Sequence, residues 1–101
     1  MFEDLSKLPN QSVQAVLKEV DNDVLTIALM GANETLKQKI FSNISKRLVE
    51  TIEDNMKFMG PVRVRDVEAA QQKIVNVARR LEDSGAIELT RGGADDDYIT
   101  T

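Results

Sequence analysis

Ser45–Val67 reads Ser-Lys-Arg-Leu-Val-Glu-Thr-Ile-Glu-Asp-Asn-Met-Lys-Phe-Met-Gly-Pro-Val-Arg-Val-Arg-Asp-Val, and its pattern decides the fold. At about 100° per residue, Leu48, Val49, Ile52, Met56 and Met59 fall within an arc of roughly 100°. That arc is the apolar stripe of an amphipathic helix. Ser45 is a good N-cap for it, and Ile44 is placed to staple onto its first turns. Gly60-Pro61 stops it. Arg47 and Asp54 lie roughly opposite the apolar arc, and Glu50 extends their stripe. Asn55 falls on the boundary. Beyond Pro61, Val62 and Val64 alternate with Arg63 and Arg65 in a short basic connector, and Asp66 is the expected cap of the next helix.

Upstream, the chain resolves into short helices. Phe2, Leu5 and Leu8 repeat every three residues, as in a short helix or turn that Pro9 ends. Asn10 is the expected cap of a helix carrying Val13, Val16, Leu17 and Val20 on one stripe. Asp21 or Asp23 starts the next helix. Its run from Val24 to Met30 leaves little polar face and so predicts burial. Gly31 is expected to close it in a left-handed conformation. Asn33 caps a fourth segment whose inward stripe is Leu36, Ile40, Phe41 and Ile44. Downstream, Val67, Ala70, Ile74, Val77, Ala78 and Leu81 predict one long helix, closed by Ser84-Gly85. Arg79 and Arg80 near its end suit the helix dipole. Ala86–Thr90 is expected to be a short extended segment. The polar, glycine-rich residues 91–101 are expected to form a flexible acidic tail after a helical subdomain over 1–90. The whole is all-α, five clear helices plus a first short one. It suits a compact superhelical bundle with no convincing fixed-period repeat.

Composition narrows the chemistry. The 101 residues contain neither cysteine nor histidine, which removes the thiolate nucleophile, the commonest general base and the commonest metal ligands. Glu53 and Asp54 are adjacent, so on a helix they diverge and cannot share a substrate. Asp95-Asp96-Asp97 lacks a calcium-loop signature, and Gly92-Gly93 is no phosphate loop. The expectation is therefore no enzyme, no cofactor and no small-molecule substrate. A net charge of -4 disfavours nucleic acid, although Lys37, Lys39, Lys46 and Arg47 carry positive charge. No apolar run is long enough to span a bilayer. From the residues alone, the Arg47, Glu50, Asp54 stripe reads as an ordinary solvated helix face. The chain reads as an all-α domain that binds another protein.

Two long runs add to this. Ala28–Arg47 (Ala-Leu-Met-Gly-Ala-Asn-Glu-Thr-Leu-Lys-Gln-Lys-Ile-Phe-Ser-Asn-Ile-Ser-Lys-Arg) and Met59–Ile74 (Met-Gly-Pro-Val-Arg-Val-Arg-Asp-Val-Glu-Ala-Ala-Gln-Gln-Lys-Ile) resemble the flagellar motor switch protein FliG family. So do Phe2–Leu5, Leu17–Asp21 and Arg79–Glu82, in the same order. The resemblance is to the C-terminal, torque-generating subdomain of a longer protein. It implies six helices in a right-handed, armadillo-like arrangement on the cytoplasmic face of the inner membrane, within the rotor ring of the flagellar basal body. It implies a ridge of charged residues facing the stator protein MotA, and a part in reversing rotation. Other implied partners are the switch-ring protein FliM and neighbouring FliG subunits.

By position, Arg47, Asp54 and Arg63 match the family ridge in type. Glu50, Lys46 and Lys57 are possible contributors. Two positions depart from it: Met30 stands where some members carry a lysine, and Asn55 where they carry an acidic residue. Phe2 corresponds to the last Phe of a Met-Phe-x-Phe hinge, so Met1 stands in for a hinge residue. Gly31 and Gly60-Pro61 are places where helices could reorient, with most of the freedom at the hinge around Phe2. The alternative reading is a purely structural docking domain of the ring whose charges only solvate it.

Overall fold

The three-residue spacing of Phe2, Leu5 and Leu8 is the repeat of a 3-10 helix, and Phe2–Lys7 forms one, with all three side chains buried. The computed structural model describes residues 2–87. Five α-helices follow: α1 (Asn10–Lys18), α2 (Asn22–Leu29), α3 (Glu34–Phe41), α4 (Lys46–Met59) and α5 (Val64–Asp83). Among the described residues the fold is all-α, as expected. The extended segment expected over Ala86–Thr90 lies outside the described residues from position 88 on, as do the tail at 91–101, Gly92-Gly93, Asp95–Asp97 and Met1.

The core is built around α2 and α5. Leu25, Thr26, Ala28 and Leu29 of α2 are buried, as its near-continuous apolar run requires. The one polar member, Thr26, satisfies its hydroxyl by donating to the Asn22 carbonyl at 2.8 Å. Against it α5 sets Ala70, Ile74, Val75 and Ala78. The 3-10 helix packs on α3 and α5, α1 on α5, and α4 on α2. Val75 joins the core beside Ile74, so the inward face of α5 is broader than the stripe alone suggests.

Three helix ends differ from expectation, each for a local reason. Pro9, not Asn10, occupies the cap position of α1: its fixed φ of -59° presents its carbonyl to Ser12 and Val13 N–H at 3.0 and 3.1 Å. The Asn10 side chain instead accepts from Asn43 Nδ2 at 3.3 Å. Likewise α5 begins at Val64, two residues before Asp66, with Arg63 at its cap and no side-chain cap bond. Val64 and Arg65 therefore belong to the helix and not to a connector.

Gly31 is the third case. Its φ is not positive; among the described glycines Gly60 (φ 68°) and Gly85 (φ 85°) have positive φ. Instead α2 closes with i to i-3 bonds from Met30, Gly31 and Ala32 at 3.1–3.2 Å. The missing Cβ is used for close approach: a methyl there would meet Val67 Cγ1 at 2.6 Å and Gln71 Nε2 at 3.1 Å. Gln71 donates to the Ala28 carbonyl at 3.1 Å, a further bond to an acceptor that already takes Gly31 N–H, and so ties α5 to the end of α2. Gly31 thus lies at the close seam between α2 and α5.

The other ends follow their sequence signals. Asn33 Oδ1 accepts from Leu36 N–H at 2.8 Å and caps α3. At the end of α5, Ala86 N–H bonds to the Leu81 carbonyl at 2.9 Å and Gly85 N–H to the Glu82 carbonyl at 2.9 Å. That pair of bonds around a left-handed glycine is the Schellman closure.

Candidate functional site

Helix α4 is attached at three places and free between them. At its start, Ser45 Oγ accepts from Leu48 N–H at 3.1 Å. At its middle, Ile52 is fully buried, flanked by the half-buried Leu48 and Met56 packed on the core. At its end, Gly60 takes φ 68° and ψ -159°, a region open essentially only to glycine, and Pro61 follows. The opposite face stands in solvent. Arg47, Glu50 and Asp54 are exposed on it, with Lys46 and Lys57 exposed at its flank. Asn55 is half-buried, as its boundary position requires.

Arg63 is also exposed, at the cap of α5 beyond the Gly60-Pro61 turn. Met30 is half-buried at the end of α2. It lines a shallow cleft of about 430 Å³ with Gly31, Val62, Val64 and Val67. Phe2 is buried in the core.

Two features describe the charged face. First, Arg47, Glu50, Asp54, Lys57 and Arg63 enter no ion pair among the described residues. Cross-element pairing does occur elsewhere: Arg80 meets Glu19 at 3.0 Å, tying α5 to the end of α1. Second, the basic residues sit against the helix dipole. The first turns of α2 and α3 carry acids, Asp23 and Glu34, as the positive end of a helix prefers. The first turn of α4 carries no acid, and Lys46 and Arg47 stand there instead. Arg63 and Arg65 likewise bracket the start of α5, offset only by Asp66. Each misplaced charge costs about 0.3–1 kcal/mol. This signal lies in the sequence, directly after the Ser45 cap and the Gly60-Pro61 stop.

Sequence reasoning also passed over Phe58. It is 87% exposed, the most exposed large apolar side chain among the described residues. It follows Arg47 by eleven residues, three helical turns, so the face carries an aromatic as well as charges.

The described residues thus form a small all-α domain with one helix at its rim, whose outer charges enter no ion pair among those residues. The chain belongs to the FliG family: the model described as the FliG C-terminal domain matches residues 1–89. The flagellar motor switch protein FliG of Thermotoga maritima is 52% identical over 96 residues, covering 95% of this chain and 29% of that protein. FliG of Bacillus subtilis is 48% identical over the same share of this chain and 28% of its own. The chain thus spans under a third of the length of these relatives. Crystal structures agree. FliG from H. pylori superposes over 88% of this chain and 39% of that one, with TM-score 0.85 and 34% identity. Full-length FliG from Aquifex aeolicus covers 83% of this chain and 26% of that one, with TM-score 0.80 and 43% identity.

Proposed function

We propose that this chain is the stator-facing part of a flagellar rotor. The exposed face of α4, Arg47, Glu50 and Asp54, together with Arg63, meets the charged cytoplasmic loop of MotA, and Lys46 and Lys57 contribute at its edge. Movement of the stator pushes on this face. The force passes through Ile52 and α2 into α5 and so to the rest of the ring, where FliM and neighbouring FliG subunits are the further partners. The site of action is the cytoplasmic face of the inner membrane, in the basal-body rotor, and the role involves no catalysis. Reversal of rotation turns the face relative to the stator, with most of the freedom at the hinge around Phe2.

The observation that carries this reading is the set of unpaired cations placed against the dipoles of α4 and α5. Exposed pairs are individually weak, about 0–1 kcal/mol, which suits repeated making and breaking of contacts better than a permanent complex. The test is retention of this chain on purified MotA stator as salt is raised. Retention is expected to fall steeply, because the Debye length shrinks from about 10 Å at about 0.1 M to about 3 Å at about 1 M. Retention that is indifferent to salt would favour a purely structural docking domain.

A further inference from the structure

The apolar residues left most exposed by the fold are not scattered. Among the described residues, the large apolar side chains that stand in solvent are Phe58 (87% exposed), Val64 (72%) and Met59 (36%). All three fall within a seven-residue stretch across the α4–α5 corner. Met59 ends the inward stripe of α4, so its partial exposure is that of a fraying edge. Phe58 is different. At about 100° per residue it lies about 20° to one side of Arg47, while Asp54 lies about 20° to the other. The aromatic therefore lies at one edge of the charged stripe, next to Arg47. A lone phenylalanine in that position gains nothing from the fold.

We infer that Phe58 is the apolar anchor of the α4 face. It is covered on binding by a partner helix of complementary pattern. Read along α4 and past its end, the face is cation (Arg47), anion (Glu50, Asp54), aromatic (Phe58), cation (Arg63). The fitting partner presents an acid, then bases, then an apolar pocket about one helical turn further on, then an acid. This inference rests on the stator reading above and names what the partner must carry besides charge. Charges steer the encounter and set its register, while a desolvated aromatic supplies much of the holding energy.

A second copy of this chain does not fit. Antiparallel pairing of two α4 helices about their midpoint sets Arg47 against Phe58 and brings Glu50 and Asp54 of one copy beside those of the other. Like charges so placed repel.

The test titrates this chain onto immobilised, detergent-solubilised MotA stator at about 0.05 and about 0.5 M NaCl, on either side of the screening range. Phe58→Ala is expected to weaken binding about tenfold at both salts, as loss of an interface anchor does, while Phe58→Trp holds it. The pair Arg47→Asp with Asp54→Lys is expected to weaken binding chiefly at low salt. Circular dichroism and melting should be unchanged by Phe58→Ala, since the side chain touches solvent. If Phe58→Ala binds like the unaltered chain while the charge reversal weakens binding, the anchor is overturned and the stator reading stands. Loss with Phe58→Ala but not with charge reversal leaves the anchor and overturns the charged ridge. Absence of binding by the unaltered chain overturns both. Self-association that disappears with Phe58→Ala would make a second copy the occupant and overturn the partner assigned.

Discussion

The two longest helices of this chain are both amphipathic and are used in opposite ways. Helix α5 buries four side chains, ties Arg80 to Glu19, and clasps α2 through Gln71. Helix α4 buries Ile52 alone, opens on two cations, and leaves its outer charges without partners among the described residues. By these contacts α5 is the beam of the core and α4 lies at its rim. What α5 spends on internal contacts, α4 leaves available to something outside the chain. In natural sequences, local rules are broken mostly where function needs them broken.

The contrast can be broken at its narrowest point. Ile52→Ala should cost about 2–5 kcal/mol, the range for truncating a fully buried aliphatic side chain. Because Ile52 is the one fully buried side chain α4 contributes, hydrogen exchange should speed up over residues 46–59 and leave α5 protected. Equal loss of protection in both helices would mean that α4 is as deeply integrated as α5. A smaller effect probes the beam itself. Gly31→Ala forces a methyl onto Val67 and should cost about 1–3 kcal/mol, measured by denaturant unfolding. Adding Val67→Ala should restore part of that loss. If the second change only deepens it, Gly31 matters for another reason.

Most of the architecture was legible because each helix announces itself by an apolar stripe and a stop. Leu36 and Ile40, Ile74 and Ala78, the Ser45 and Asn33 caps and the Gly85 closure all stand where their spacing and residue types put them. The misreadings share a cause. Asn10 and Asp66 are good capping residues by type, yet at each helix start the backbone turned earlier, at Pro9 and at Arg63. Side-chain propensity ranks candidates for a cap but does not fix where the chain turns. Gly31 was misread because a glycine near a helix end can supply either a left-handed turn or a missing Cβ. Only the position of Val67 decides between them.

The site was legible in part. Arg47, Glu50 and Asp54 share one face from spacing alone. That Met30 lines a cleft with Val62, Val64 and Glu68 depends on how α2 meets α5. Phe58 was visible at eleven residues from Arg47, but an aromatic among charges reads as core until its exposure is known.

The smallest change to the fold should have the largest effect in the cell. Arg47→Asp with Asp54→Lys alters only exposed, unpaired charges, so stability should stay within about 0.5 kcal/mol. Swimming of cells that carry this pair in the full-length protein, at normal protein levels, tests the central claim most directly. The account expects motility to be lost, and to return in part when the facing charges of the stator loop are reversed as well. Motility undiminished by the double reversal would contradict it.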